Sequence, residues 1–167
     1  MANYIVTGSN GFIASHTCES LLLDGHKITG IDNMNDAYDV RIKEHRLKKL
    51  KQHPNLIYSN IDITDLSALT SIITERYDAI INLGARAGVR ASADNPFIYY
   101  ETNVTGTLNL LEISKKFEIP KFVLASTSSV YGSVNSIPYA EDDLTDFPLS
   151  QYAASKKAAE TLTHTYH

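Results

Sequence analysis

Apolar residues recur along this chain in two alternating rhythms. "NYIVT" (Asn3–Thr7) is a short β-branched run ending at Gly8, and such a run bounded by a glycine turn reads as a buried strand. From Phe12 to Leu23 the apolar positions recur at helical spacing until "DGH" stops them. "KITGID" (Lys27–Asp32) is a second strand, followed by a charged amphipathic helix over Val40–Lys51 that Pro54 closes. "LIYSNID" (Leu56–Asp62) is a third strand and Leu66–Glu75 a third helix. A fourth strand lies in "DAIINLGA", and "NP" at Asn95–Pro96 starts a long helix running to about Phe117. "KFVLAST" is the fifth strand; a loop with Gly132, Pro138 and Pro148 then leads into a last helix holding Tyr152.

Five apolar strands separated by helices require crossover connections, which build a parallel sheet covered on both faces. The right-handed crossover rule favours a Rossmann-type, doubly wound α/β fold with strand order 3-2-1-4-5. At 167 residues the chain is one domain by length and can bury a real core. It shows no repeat, no low-complexity segment and no interdomain linker.

Composition narrows the function classes. Hydrophobic residues at 43% and charged residues at 20% describe an ordinary globular protein. A net charge of −4 gives no electrostatic footprint for nucleic acid, and no basic cluster suggests a membrane surface. The single cysteine, Cys18, excludes an internal disulfide and reads as a small buried hydrophobe. The start "MANYIVTG" lacks the basic and apolar regions of a signal peptide, and no apolar run reaches transmembrane length, so the expected location is the cytoplasm. No metal site is expected. The histidines do not cluster beyond His164 and His167 at a fraying end, and "DNMND" lacks the spacing and glycine of a calcium loop.

"TGSNGFIAS" lies between the first strand and the first helix. Gly8 and Gly11 permit a tight turn and close backbone approach, and Ala14 takes the small-residue place where helix meets strand. The unpaired N–H groups of the helix start then suit a pyrophosphate. Asp32 follows Gly8 by about 24 residues, near the spacing expected of the acid that accepts ribose hydroxyls. A carboxylate there repels a 2′-phosphate, which favours NAD over NADP. Asp62 could accept the adenine amino group or cap the following helix. Arg86 and Arg90 flank "AGV" after strand four. Either could grip a sugar carboxylate or diphosphate, or remain a solvated loop arginine.

"QYAASKKAAE" places Tyr152 and Lys156 one helical turn apart on one face. With ten tyrosines and ten lysines, chance alone supplies about 0.6 such pairs, so the surrounding motifs decide its meaning. Those motifs are "TGSNGFIAS", "GIDNMNDAYDVRIKEHRL", "DITD", "NLGARAGVRASADNP", "TNVTGTLNLLE", "ASTSSVYG" and "YAASK". On them the chain resembles the extended short-chain dehydrogenase/reductase family of NAD-dependent nucleotide-sugar epimerases and dehydratases. "NDAYDVR" and "AGVR" look most like its UDP-glucuronate 4-epimerase branch.

The resemblance implies a tightly held NAD that takes a hydride from a UDP-sugar and returns it through a 4-keto sugar, in polysaccharide biosynthesis. It implies Tyr152 as base, Lys156 as its electrostatic partner and Thr127 as the hydroxyl that holds the reacting oxygen. It places Gly8, Asn10, Gly11, Phe12, Ile13, Asp32, Asn33, Asp62, Ile63, Leu83, Gly84, Ala85, Asn103, Tyr152 and Lys156 around the cofactor. Arg90, Ser128 and Ser129 fall at the sugar. The dehydratase branch has an Asp-Glu pair where Ser128 and Ser129 stand, and elimination of water needs an acid and a base, so the serines argue for epimerisation. The chain departs from the family at Ala14, a usual glycine, at Asn82, often histidine, and at Arg86, often glutamine.

A free phenol ionises near pH 10. A tyrosine base at neutral pH therefore needs about 4 kcal/mol of preferential phenolate stabilisation, which a cation one turn away and an oxidised nicotinamide could supply. The family also has a sixth strand and a C-terminal substrate region beyond the Tyr–Lys helix. The expectation is thus that residues 1–167 are an incomplete NAD-binding Rossmann domain, binding cofactor without turnover. The family further implies a homodimer through the helices Phe97–Phe117 and Tyr152–Tyr166.

Overall fold

The structure is a computed structural model that describes residues 1–167. Its strands are β1 (Asn3–Thr7), β2 (Lys27–Ile31), β3 (Leu56–Ser59), β4 (Ala79–Asn82) and β5 (Phe122–Leu124). The helices are α1 (Phe12–Leu23), α2 (Val40–Leu50), α3 (Leu66–Ser71), α4 (Ala91–Asp94), α5 (Pro96–Tyr100), α6 (Gly106–Lys116) and α7 (Gln151–Thr165). A π-helical segment, Glu101–Thr105, joins α5 to α6, and a 3₁₀ turn spans Ser128–Tyr131. The chain forms two compact units, Met1–Gly84 with Asn109–Ala125, and Ala85–Leu108 with Ser126–His167.

The first unit is the sheet, all parallel, in the expected order β3-β2-β1-β4-β5. Strand alternation sends Ile5, Ile31 and Ile80 to one face, where Leu69 of α3 and Leu110 and Ile113 of α6 cover them. Val6 and Ile28 point the other way, onto Ala14, Cys18 and Leu22 of α1 and Leu50 of α2. Burial pushes the Cys18 thiol up to about 12, which leaves it an inert hydrophobe. Tyr77 and Asn109 place polar atoms in the first layer, and both are bonded. Tyr77 shares a 3.0 Å hydrogen bond with Thr29, and Asn109 donates to the Ile63 and Thr64 carbonyls at 3.0 Å.

The β1 and α1 boundaries follow the sequence; β2 stops one residue early, at Ile31, and β3 and β5 stop further short of expectation. β3 ends at Ser59 rather than Asp62 because its ladder partner β2 ends at Ile31, opposite Ser59. β5 ends at Leu124 opposite the last residue of β4. α3 stops at Ser71, where β-branched Thr70, Ile72, Ile73 and Thr74 weaken the helix and Ile72 and Ile73 turn into the core.

In the second unit α7 packs against α5, the π segment and the 3₁₀ turn. Its buried face is Ala153, Ser155, Lys156 and Ala159, and the small residues let neighbouring backbone approach. Ser150 starts α7 by accepting a hydrogen bond from the Ala153 N–H at 3.1 Å. The helix expected to run unbroken to Phe117 is interrupted by the π segment. α4 and the 3₁₀ turn have no counterpart in the sequence pattern. Gly132 has φ of 63°, and a Cβ there would lie 2.1 Å from the Phe147 carbonyl oxygen, so only glycine fits. No helix is long and apolar enough to cross a membrane.

Candidate functional site

In the first unit the β1–α1 turn is built by contact too close for side chains. Gly8 has φ of 65°, and a Cβ on it would come within 2.9 Å of the Gly84 Cα. Gly11 N–H closes the turn on the Gly8 carbonyl at 2.7 Å, and Ser9 N–H ties it to the Ile31 carbonyl at 3.1 Å. Gly11 opens α1 without a side-chain cap, so the first helical amides have no side-chain partner. Phe12 and Ile13 are exposed beside them, and Ala14 is buried against the sheet, as the sequence indicates. Gly84 N–H donates to the Thr7 hydroxyl at 2.9 Å, and that hydroxyl donates to Asn82 Oδ1 at 2.7 Å. Asn82 thus fixes the ends of β1 and β4, next to half-buried Leu83.

Asp32 is buried just beyond β2. Its Oδ2 accepts the Asn10 N–H at 3.1 Å, and Oδ1 accepts the Met34 N–H at 2.8 Å. Oδ1 also lies 3.4 Å from Lys43 Nζ, an ion pair in which both side chains are only 5% exposed. Asn33 donates to Asp62 at 2.6 Å, while the backbone and hydroxyl of Thr64 donate to the other Asp62 oxygen. Asp65, not Asp62, caps α3, through the Ala68 N–H at 2.9 Å. The helix-cap reading of Asp62 therefore falls, and its carboxylate stands beside Asn33 and buried Ile63. Arg46 Nη1 donates to the Asn10 carbonyl at 3.3 Å and to the Tyr38 hydroxyl at 3.1 Å.

In the second unit Tyr152 and Lys156 lie one turn apart on α7, as their spacing requires. Tyr152 is half-buried, its ring edge-on to Tyr99 at 6.2 Å. Lys156 is 3% exposed, and burial pushes its ammonium down to about 8, an effect the nearby Glu160 charge opposes. At pH 7 the lysine remains mostly charged. The Thr127 hydroxyl accepts the Ser129 N–H at 3.2 Å, capping the 3₁₀ turn. Ser128 is exposed and Ser129 half-buried.

Asn103 sits in the π segment and is fully buried. Its Oδ1 accepts the Arg86 N–H at 2.8 Å, while Nδ2 donates to the Arg86 carbonyl at 3.0 Å and to Ser155 Oγ at 2.9 Å. Ser155 in turn donates to the Tyr152 carbonyl at 2.7 Å. Both amide donors of Asn103 are therefore spent on positioning the loop after β4 and helix α7. Ala85 and Arg90 are exposed in that loop, Arg90 at the start of α4, and the Arg86 side chain is half-buried.

Sequence reasoning missed Tyr38, Lys43, Arg46 and Ser155. For Lys43 a signal existed. Val40, Lys43, Leu47 and Leu50 share the inward stripe of α2, and a lysine on that stripe has to find a buried counterion.

Comparisons with known proteins match this architecture. A UDP-glucuronate 4-epimerase of Thermodesulfobacterium geofontis is 52% identical over 168 residues, matching 100% of this chain and 52% of its own length. Bacillus cereus UDP-glucuronic acid 4-epimerase, in complex with UDP-glucuronic acid and NAD, is 36% identical with a TM-score of 0.88, covering 99% of this chain and 52% of that one. The dTDP-glucose 4,6-dehydratase DesIV of Streptomyces venezuelae, with NAD and TYD bound, is 31% identical with a TM-score of 0.86, covering 99% and 51%. The chain spans about half the length of the relatives it matches. Residues 5–167 match the family model described as GDP-mannose 4,6 dehydratase, and the chain belongs to that family.

Proposed function

We propose that this chain is the cofactor-binding part of an NAD-dependent nucleotide-sugar 4-epimerase of the UDP-glucuronate/UDP-galacturonate type. The residues present fit NAD. The Gly8–Gly84 approach leaves no room for side chains at the turn, the first amides of α1 suit a pyrophosphate, and Asp32 offers a buried carboxylate to a ribose. Asn33, Asp62 and Ile63 would take the adenine end. NAD, when bound, supplies the acceptor and later the donor of a hydride at sugar C4. Tyr152 takes the proton of the sugar 4-hydroxyl, Lys156 holds positive charge one turn away, and Thr127 donates its O–H to the same oxygen. Arg90, Ser128 and Ser129 lie on the sugar side, and Asn103 and Ser155 hold the Tyr152 helix and the Arg86 loop in place. A homodimer through α5–α6 and α7 belongs to the same reading; Phe97 on α5 is 82% exposed.

The observation that carries the reading is the buried Lys156 cation one turn from Tyr152, with serines at 128 and 129 where elimination of water would need an acid and a base. The full-length protein is expected to interconvert UDP-glucuronate and UDP-galacturonate. Tyr152→Phe should abolish turnover while NAD stays bound, since only the hydroxyl is lost. Formation of a dehydrated keto-sugar by the wild type would overturn the epimerase reading in favour of a dehydratase.

A further inference from the structure

Tyr99 is a tyrosine on α5, only 4% exposed, that the reaction above does not use. Its ring meets the Tyr152 ring edge to face, with centroids 6.2 Å apart and planes inclined by 68°, a favoured geometry for an aromatic pair. Its hydroxyl donates to the Ala87 carbonyl at 3.2 Å, in the loop between β4 and α4. The next residue, Tyr100, donates to Gln151 Oε1 at 3.0 Å, so consecutive tyrosines of α5 meet consecutive residues at the start of α7. The loop itself is held carbonyl by carbonyl. Arg86 C=O accepts from Asn103 Nδ2 at 3.0 Å, Gly88 C=O from the Ser92 N–H at 3.2 Å, and Val89 C=O from Ser92 Oγ at 2.6 Å. Asn103 and Ser92 are both buried. Tyr99 supplies the link at Ala87, and with it joins the loop directly to the ring of Tyr152.

We propose that Tyr99 is a positioning residue for the epimerase reaction, holding the Tyr152 phenol and the loop that leads to Arg90 in one frame. This rests on the reading of Tyr152 as base and Arg90 as a sugar-side group, and deepens it. A tyrosine on a helix can change rotamer, and packing against its ring restricts that freedom. Tyr99 gives Tyr152 such a neighbour, and the bond to Ala87 keeps that neighbour from moving independently of the loop. Ring and hydroxyl therefore serve separate ends. The ring sets the aim of the base and should act on kcat, whereas the hydroxyl sets the loop on the sugar side and should act on KM.

The test is steady-state kinetics on UDP-glucuronate with the full-length wild type, Tyr99→Phe and Tyr99→Leu, each loaded with NAD. Tyr99→Phe keeps the ring and loses one neutral hydrogen bond, so KM should rise about three- to tenfold with kcat within about twofold of wild type. Tyr99→Leu loses both, so kcat should also fall, by about tenfold to 10²-fold, as expected of a misplaced base. A residue that only supported the fold would lower the active fraction, which cuts apparent kcat and leaves KM where it was. Bound NAD per chain is therefore counted for each protein, and kcat is expressed per loaded site. Should Tyr99→Leu fail to fold, Tyr99→Phe decides alone. An unchanged KM in Tyr99→Phe overturns the proposal, as does a Tyr99→Leu protein whose kcat matches that of Tyr99→Phe. A wild type that leaves UDP-glucuronate unchanged overturns the epimerase reading, and the role of Tyr99 with it.

Discussion

Lys156 shows what a residue can cost the fold that carries it. Its pKa falls from 10.5 to about 8 because the ammonium is buried. Below pH 8 the lysine is charged in both the folded and unfolded chain, so the fold bears the full desolvation penalty. Between about 8 and 10.5 the folded chain has released the proton and the unfolded chain still binds it, so stability rises with pH. The shift corresponds to about 3 kcal/mol. Lys156→Met should therefore be more stable than wild type at pH 7 by up to that amount, with the gap closing by pH 10; urea unfolding at the two pH values measures it. A gap independent of pH would mean that packing, not charge, sets the difference. Thr127→Val should reduce turnover of the full-length protein on the order of 10²-fold, as loss of one positioned donor. It also removes the cap on Ser129, so Thr127→Ser is the control and should retain most activity. If Thr127→Val is harmless and Ser128→Ala is not, the catalytic hydroxyl is the neighbouring one. Asp32, Tyr152 and Lys156 are legible in sequence because their chemistry is carried by spacing from a turn or along a helix. Lys43 is harder to read, since its partner lies 11 residues back across a loop and the helix around it is rich in lysine and arginine.

Among the elements, the π segment Glu101–Thr105 departs most from what the sequence indicates. One extra residue in a helical turn leaves no compositional mark, because i→i+5 bonding needs no particular side chain. Its consequence is visible in Asn103, whose amide closes on both backbone groups of Arg86 and on Ser155. Asn103→Leu keeps the volume and removes every one of these bonds, leaving Arg86 N–H and C=O without their partner. The expected loss is about 1–3 kcal/mol in stability, read by thermal or urea unfolding. NAD binding should weaken less than turnover, because the phosphate turn lies in the other unit. Strand ends are equally unmarked in the sequence. Leu56–Asp62 has strand composition throughout, but a strand lasts only as long as its neighbour offers a ladder, and β2 stops at Ile31.

For the whole molecule, strand order was legible because it follows from alternation and handedness, which every β–α–β crossover repeats. The division into two units was not, since it depends on which loops fold back and the sequence carries no linker at Gly84 or Ala125. Two expectations belong at this scale. Residues 1–167 alone should bind NAD, because the phosphate turn and Asp32 lie together in the first unit; conversion of UDP-glucuronate needs the sugar positioned as well as the cofactor and should not be detected. Clear turnover by residues 1–167 would show that Tyr152 and Lys156 need nothing further. The protein should also self-associate through α5–α6 and α7, which light scattering at micromolar concentration reads directly; a monomer at every concentration would remove the helical dimer.

The contact between Gly132 and Phe147 has a practical consequence for anyone who wants to label this protein. Gly132 and Phe147 approach closely, so the residues between them form a bight that returns to its start, and Lys157 of α7 holds its returning arm through Thr145 and Asp146. Closure entropy grows only logarithmically, so doubling that segment costs about 0.6 kcal/mol. The exposed residues Ala140–Asp142 of the turn closed by Asp143 are where a peptide tag or a fluorescent domain can be spliced in, whereas any replacement of Gly132 itself would prise the loop open at its neck.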